Sequence, residues 1–165
     1  MSHTIEQVRE EDLEELLPLM RGYCEFYAVA PTNEDLLALS RALIADPVHD
    51  GLQLIARDRD DRRAVGFATI FWSWQTLDTG RVGVMNDLFV HPAARGTGVA
   101  DDLIRACADR ARDHGARTLV WETALDNHRA QKVYDRTPAV AGDWRIYELA
   151  LGPASTPSSS TQPEK

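Results

Sequence analysis

A basic, glycine-rich stretch precedes one of the amphipathic segments of the chain. The sequence "HPAARGTGVADDLI", residues 91–104, places Arg95, Gly96 and Gly98 directly before that segment. Glycines at such a junction let the backbone approach a ligand closely, and the first N–H groups of a helix favour an anion. The local pattern is compatible with a phosphate site and equally with a tight, merely structural helix entry.

Two common phosphate-binding motifs do not fit this stretch. A dinucleotide fingerprint needs a third glycine in G-x-G-x-x-G, and Asp101 occupies that position. A Walker A loop needs Lys followed by Ser or Thr after its second glycine, whereas Val99 and Ala100 follow here. The sequence thus argues against a Rossmann dinucleotide site and against a P-loop nucleotide site.

A second group of residues shares one face of a predicted helix. Asn127, Ala130 and Tyr134 are spaced i, i+3 and i+7, which aligns them along that face. A phenol with a pKa of about 10 stays protonated at neutral pH and can donate a proton there. The alternative is that Tyr134 is an ordinary residue of an amphipathic helix packed on the core.

The hydrophobic pattern predicts an α/β fold with a mixed sheet and the element order α-α-β-β-β-α-β-α-β. The predicted segments are helices 8–27 and 31–47, strands 52–58, 64–74 and 81–90, a helix from 97 or 98 to 113, strand 117–124, a helix from 126 or 127 to 136, and strand 144–151. The central β-α-β unit has parallel strands by the right-handed crossover rule, with the glycine turn at the carboxyl end of its first strand. That end is where α/β proteins bind ligands.

Length and composition indicate one globular domain. The 165 residues are 44% hydrophobic and 27% charged, and we expect a domain over 1–152 and a disordered tail over 153–165. A net charge of −8 argues against nucleic-acid binding. Without an apolar N-terminal run or an apolar stretch of membrane-spanning length, we expect a cytoplasmic protein that binds no membrane. We further expect reduced, buried thiols at Cys24 and Cys107 and no metal site.

The two motifs together resemble those of the GCN5-related N-acetyltransferase (GNAT) superfamily. The acetyl-CoA motif Q/R-x-x-G-x-G/A is matched by residues 95–100, and N-x-x-A-x-x-x-Y is matched by Asn127, Ala130 and Tyr134. The element order is similar to that of the superfamily from Thr4 to Leu151. Pro138 departs from the pattern, since members often have glycine shortly after the tyrosine helix. The motif stretches look closest to the branch that acetylates histones and polyamines.

The resemblance implies an enzyme that moves the acetyl group of acetyl-CoA to a primary amine. The acceptor would be a polyamine, a lysine side chain or a small amino compound, which attacks directly through a tetrahedral intermediate. Strand backbone would bind the pantetheine arm, and the amides of the glycine turn would bind the pyrophosphate with Arg95. The implied cofactor residues are Leu88, Phe89, Val90, Arg95, Gly96, Thr97, Gly98, Val99, Ala100, Asp101, Asn127 and Ala130.

The resemblance also implies catalytic roles. Tyr134 is the expected general acid toward the CoA sulfur. For the general base we favour Asp87, acting directly or through water, ahead of Glu122 on the next parallel strand. Strand alternation makes Asp87 point away from the faces of Asn86 and Leu88. The alternative for both Asp87 and Glu122 is a structural role, in which a carboxylate at the end of a strand accepts hydrogen bonds from neighbouring backbone.

The first two helices are expected to form the acceptor wall. Aromatic and acidic side chains there suit a cationic amine, and the candidates are Tyr23, Glu25, Phe26, Tyr27 and Trp74, with Trp72 on the same sheet face. The alternative function is a non-catalytic acyl-CoA-binding sensor or regulatory module, and another acyl donor such as succinyl-CoA also fits the sequence. The resemblance further implies a homodimer, formed through the last strand.

Overall fold

The computed structural model describes residues 3–149 and 151 of the chain. The strands are β1 (His3–Gln7), β2 (Gly51–Asp58), β3 (Ala64–Gln75), β4 (Gly80–Val90) and β5 (Ala116–Val120). The helices are α1 (Leu13–Phe26), α2 (Asn33–Ala45), α3 (Val99–Asp113) and α4 (His128–Tyr134), with short 3₁₀ turns at Glu10–Asp12 and Pro92–Ala94. None of the helices in these residues is long and apolar enough to cross a membrane.

The five strands form one mixed sheet in the spatial order β1-β2-β3-β4-β5. The first four strands are antiparallel neighbours, and β5 pairs with β4 in parallel. The α/β fold class with a mixed sheet is therefore confirmed, including the parallel β4-α3-β5 unit. The glycine turn lies between β4 and α3, at the carboxyl end of β4.

Each face of the sheet is covered by different helices. The α1–α2 face packs Leu16, Ile55, Phe67 and Phe89 into one core, and the α3 face packs Leu54, Ile70, Met85 and Leu103 into the other. Cys24 and Cys107 are free and buried, one in each core. This two-sided cover explains why β2 and β3 read as nearly continuous apolar runs.

The structure differs from the predicted elements at the first strand, at the end of β5 and at the last strand. The sequence predicts no strand before the first helix, yet β1 pairs with β2 along its whole length. The segment "HTIEQ" has one apolar residue, Ile5, because an edge strand is held by backbone hydrogen bonds and needs little apolar alternation. At the other edge, β5 ends at Val120, four residues before the predicted boundary.

The predicted last strand, 144–151, is also absent from the residues that the structure describes there. Residues 144–149 and 151 are neither helical nor in the sheet, and Trp144 and Tyr147 are 89% and 88% exposed. Their aromatic and β-branched side chains are typical of a strand, but such a composition does not specify a pairing partner. The predicted disordered tail, 153–165, lies outside the described residues.

Candidate active site

A cavity opens where β4 and β5 separate. β5 pairs only with Arg81–Val84, whereas β4 continues for six further residues to Val90. The resulting space, about 880 Å³, is bounded by the end of β4, the glycine turn and first turn of α3, the α4 helix, and the last turn of α1. This volume is in the range of a ligand or cofactor site.

The backbone at the end of β4 offers hydrogen-bonding groups on the cavity side. The His91 N–H donates to the Val65 carbonyl at 2.8 Å. This bond shows which residues at the end of β4 direct their backbone groups toward β3. Because bonding to one neighbour alternates along an antiparallel strand, Phe89 also bonds toward β3. Leu88 and Val90 therefore direct their N–H and C=O groups away from β3, toward the space that β5 does not fill.

The glycine turn leaves an open concavity at the start of α3. Gly96 and Gly98 have φ of +81° and +91°, a region that L side chains rarely adopt, and nothing lies within 4 Å of where their Cβ atoms would be. Gly98 is the N-cap of α3 and provides no side-chain cap, so the first amides of the helix keep their donors. Together with the helix dipole, these donors suit a phosphate oxygen.

Four cationic side chains line the cavity of a chain whose net charge is −8. They are Arg95, Arg129, Lys132 and Arg136. Arg95 Nε donates to the Val90 carbonyl at 3.2 Å, and Arg136 pairs with Asp101 at 3.0 Å. The last three cations were not predicted from the sequence, although their i, i+3 and i+7 spacing, in α4 and just after its end, is a recognisable signal. A cluster of this kind on an acidic protein indicates a polyanionic ligand.

Tyr134 lines the cavity at the end of α4. Its ring packs edge-on against Trp121 with 5.4 Å between ring centroids, and Asn127 caps the helix by accepting from the Ala130 N–H at 3.2 Å. Burial raises the pKa of Tyr134, and the nearby Tyr27 raises it further. The Tyr134 hydroxyl therefore stays protonated well beyond neutral pH, as a proton donor must.

A β-bulge decides where Asp87 points. Thr69 pairs with Asp87 and Ile70 pairs with Met85, so Asn86 is an extra residue in β4. Met85 belongs to the core on the α3 face, and without the bulge Asp87 would share that face. The extra residue turns Asp87 to the α1 face instead, where Tyr23 lies.

Asp87 is buried, 9% exposed, and it does not line the cavity. It accepts a hydrogen bond from Asn86 Nδ2 at 3.0 Å, and the neighbouring Thr69 and Tyr23 hydroxyls also favour its charged form. Desolvation outweighs these effects and raises the pKa of Asp87. Tyr23 does line the cavity, and burial followed by the charge of Asp87 raises the pKa of its phenol. Asp87 therefore does not reach the cavity itself, whereas the neighbouring Tyr23 does.

Most of the predicted site residues meet at this cavity. The ones that line it are Tyr23, Phe26, Tyr27, Leu88, Phe89, Val90, Arg95, Gly96, Gly98, Val99, Ala100, Asp101, Asn127, Ala130 and Tyr134. Ala94 and Val133 line it as well and were not predicted. Thr97 lies in the glycine turn but directs its hydroxyl to the Ala94 carbonyl, 2.7 Å away.

Three predicted site residues lie elsewhere. Glu122 is exposed, two residues past the end of β5, because that strand is shorter than predicted. Glu25 is exposed on α1 and does not line the cavity. Trp74 is 68% exposed beside Arg81, at the opposite end of β4 from the cavity, while Trp72 is buried and stacks on His114.

Comparison with known proteins agrees with this geometry. Residues 18–137 match the acetyltransferase (GNAT) family. The chain belongs to this family. An uncharacterized N-acetyltransferase of Bacillus subtilis is 30% identical over 132 residues, which cover 80% of this chain and 86% of that protein. The GNAT resemblance that the two motifs carry is thus confirmed, whereas nothing here selects the histone and polyamine branch.

Two further relatives extend the comparison of this GNAT protein. A D-amino-acid N-acetyltransferase of Saccharomyces cerevisiae is 34% identical over 95 residues, or 58% of this chain and 59% of that protein. The crystal structure of a probable acetyltransferase superposes with a TM-score of 0.80 at 28% identity, covering 92% of this chain and 99% of the other. The chain is accordingly an enzyme of the N-acetyltransferase type, as the sequence predicts.

Proposed function

We propose that this enzyme transfers the acetyl group of acetyl-CoA to a primary amine. The observation that carries the proposal is the cavity at the separated end of β4, which joins free strand backbone, an open glycine turn, a cationic wall and a buried phenol. Each group suits one part of acetyl-CoA. The strand backbone suits the amide-bearing chain, the glycine turn the pyrophosphate, the cationic wall the further phosphate, and the phenol the thioester. The donor set therefore fits the co-substrate.

Each group has a proposed task toward acetyl-CoA, which supplies a thioester activated for attack by an amine. The Leu88 and Val90 backbone groups bind the pantetheine amides, and the Leu88 N–H faces the thioester oxygen. The amides of 96–101 bind the pyrophosphate with Arg95, while Asn127 and Ala130 shape the cofactor wall. Tyr134 protonates the departing thiolate.

The acceptor is proposed to bind against the last turn of α1. Tyr23 and Tyr27 pack edge-on at 5.0 Å, as do Phe26 and Tyr27, so the three rings form one aromatic wall. Aromatic faces attract a protonated amine, which must lose its proton before it can attack. Polyamines, lysine side chains and small amino compounds all present such a group, and the D-amino-acid relative adds amino acids to the classes worth testing.

A free-thiol release assay tests the proposed function. The chain is incubated with acetyl-CoA and separate panels of polyamines, lysine peptides, amino acids and aminoglycosides, and the product amine is verified by mass spectrometry. We expect amine-dependent thiol release with at least one panel, and replacement of acetyl-CoA by succinyl-CoA tests the donor. Thermal stabilisation by CoA without thiol release from any amine would instead establish the acyl-CoA-binding module.

The cationic wall gives a second prediction. Because Arg129 and Lys132 lie at the cavity without an acidic partner among the described residues, their removal should weaken binding of a polyanion. We expect the double variant Arg129→Ala/Lys132→Ala to raise the Kd for CoA about tenfold at low salt. Titration calorimetry at 20 and 300 mM salt measures the difference, which should shrink as salt rises. Arg110→Ala, on the exposed end of α3, is the control, and equal affinities of the double variant and wild type would contradict the assignment.

Three broader statements also belong to this proposal. We infer that residues 1–152 act as one domain and that the protein works in the cytoplasm, where its two free thiols remain reduced. We also infer a homodimer, in which the exposed apolar residues of 144–149 are covered by a second copy. Light scattering on the full chain and on a Trp144→Ser/Tyr147→Ser variant distinguishes a dimer from a monomer.

A further inference from the structure

His3, the first residue of β1, is buried against the glycine turn. Its side chain is 3% exposed, and its two ring nitrogens contact two different parts of the cofactor-binding segment. Nδ1 lies 3.2 Å from Asp102 Oδ2 in the first turn of α3, and Nε2 lies 3.3 Å from Thr97 Oγ1 in the turn. One imidazole therefore joins β1, the glycine turn and the start of α3.

Thr97 is itself held within the turn. Its hydroxyl donates to the Ala94 carbonyl at 2.7 Å, so the oxygen that His3 contacts is fixed relative to the backbone of the turn. A buried ring at this contact therefore restrains the turn through Thr97.

The surroundings of His3 hold this arrangement. Arg105 Nη1 bonds the other oxygen of Asp102 at 3.1 Å, and Arg59 Nε donates to the His3 carbonyl at 3.3 Å. Glu6 on β1 and Asp109 on α3 line the shallow depression beside the ring. Charged side chains of β1, of the β2–β3 turn and of α3 therefore surround His3.

We propose that His3 is a positioning residue for the CoA-binding turn, and that its buried ring holds the turn 94–98 against β1 and α3. A turn with glycines at 96 and 98 has wide conformational freedom. A ligand that orders this turn binds more weakly, because part of the binding free energy is spent on the lost conformational entropy. His3 removes part of that freedom beforehand through Thr97. Removal of the ring removes the contacts with Thr97 and Asp102 and loosens the turn. The inference rests on the proposed use of this turn for CoA.

The test compares His3→Gln and Thr97→Val with wild type, using CoA alone as the probe. We expect each variant to raise the Kd for CoA about fivefold by titration calorimetry, since the turn must be ordered on binding. Hydrogen exchange of residues 95–100 without CoA should be faster in both variants, while exchange in α2 should match wild type.

Each alternative has its own signature in this design. His49→Gln, at an exposed histidine paired with Asp46, is the control and should match wild type throughout. Faster hydrogen exchange throughout the chain means a general structural role and overturns the proposal, as does unchanged hydrogen exchange of residues 95–100 in both variants. Failure of wild type to bind CoA refutes the proposed function instead. If His3→Gln does not fold, Thr97→Val carries the same test.

Discussion

Replacement of Tyr134 by Phe is expected to lower kcat about 100-fold, the lower range for loss of a general acid. Phe keeps the ring that packs on Trp121 and removes only the hydroxyl, so the cavity wall is preserved. The Kd for CoA should stay within about twofold of wild type, because the hydroxyl assists the departing thiolate rather than the bound ground state. Stopped-flow thiol release and calorimetry measure the two quantities separately.

The pH dependence makes the test of Tyr134 sharper. Burial raises the pKa of the phenol above its ordinary value of 10, so the proton is present at every lower pH. Wild-type kcat should therefore show no decline from Tyr134 deprotonation below pH 10. A donor thioester with a more acidic thiol needs less protonation, so the deficit of Tyr134→Phe should shrink with it. Tyr147→Phe, at an exposed phenol far along the chain, controls for removal of a hydroxyl. An unchanged kcat would remove Tyr134 from the mechanism.

The sequence predicts the cofactor side of the site better than the acceptor side. Gly96, Gly98 and Tyr134 belong to local motifs whose spacing already determines which helix and turn carry them. The parallel β4-α3-β5 unit then brings both motifs to one end of the sheet, as the crossover rule requires. Local pattern and chain topology suffice for these residues.

Other residues depend on pairings that no local pattern specifies. The bulge at Asn86 reverses the side of Asp87 relative to Met85, and β4 shows no alternation that would reveal it, because both of its faces are covered. The shortness of β5 removes Glu122 from the sheet. His3 lies 94 residues before Thr97, and its role emerges only once β1 is seen beside α3.

The second large effect is expected at Asp87, through Tyr23. We propose that the acceptor ammonium gives a proton to the Tyr23 oxygen while the Tyr23 hydroxyl proton passes to Asp87, so that the amine becomes neutral and one carboxylate becomes protonated. Asp87→Asn cannot take the proton, and Tyr23→Phe cannot pass it on. Each change should lower kcat/KM about 100-fold. The double variant should be no worse than either single one, because both interrupt the same relay.

The raised pKa of Asp87 gives this relay a pH signature in activity. The carboxylate is the active form, so kcat/KM of wild type should rise with pH through a pKa above the ordinary Asp value of 3.8. Asp87→Asn should lack that rising limb, and Asp113→Asn, at an exposed carboxylate on α3, should keep it. A retained limb in Asp87→Asn, or additive losses in the double variant, would assign the base to another group.

The same shift has a consequence for folding that is independent of any substrate. Because the pKa of Asp87 is higher in the folded than in the unfolded chain, the folded state favours the protonated acid. Its contribution to stability is fully present below the unfolded pKa and is lost as pH rises through the folded value. Asn does not titrate, so the Tm of Asp87→Asn relative to wild type should increase as pH rises across this interval. Calorimetric scans from pH 4 to pH 8 measure the trend. If the Tm difference between Asp87→Asn and wild type were the same at every pH, the Asp87 carboxylate would be ionised in the folded state at little cost in free energy. Burial would then not prepare Asp87 to accept a proton.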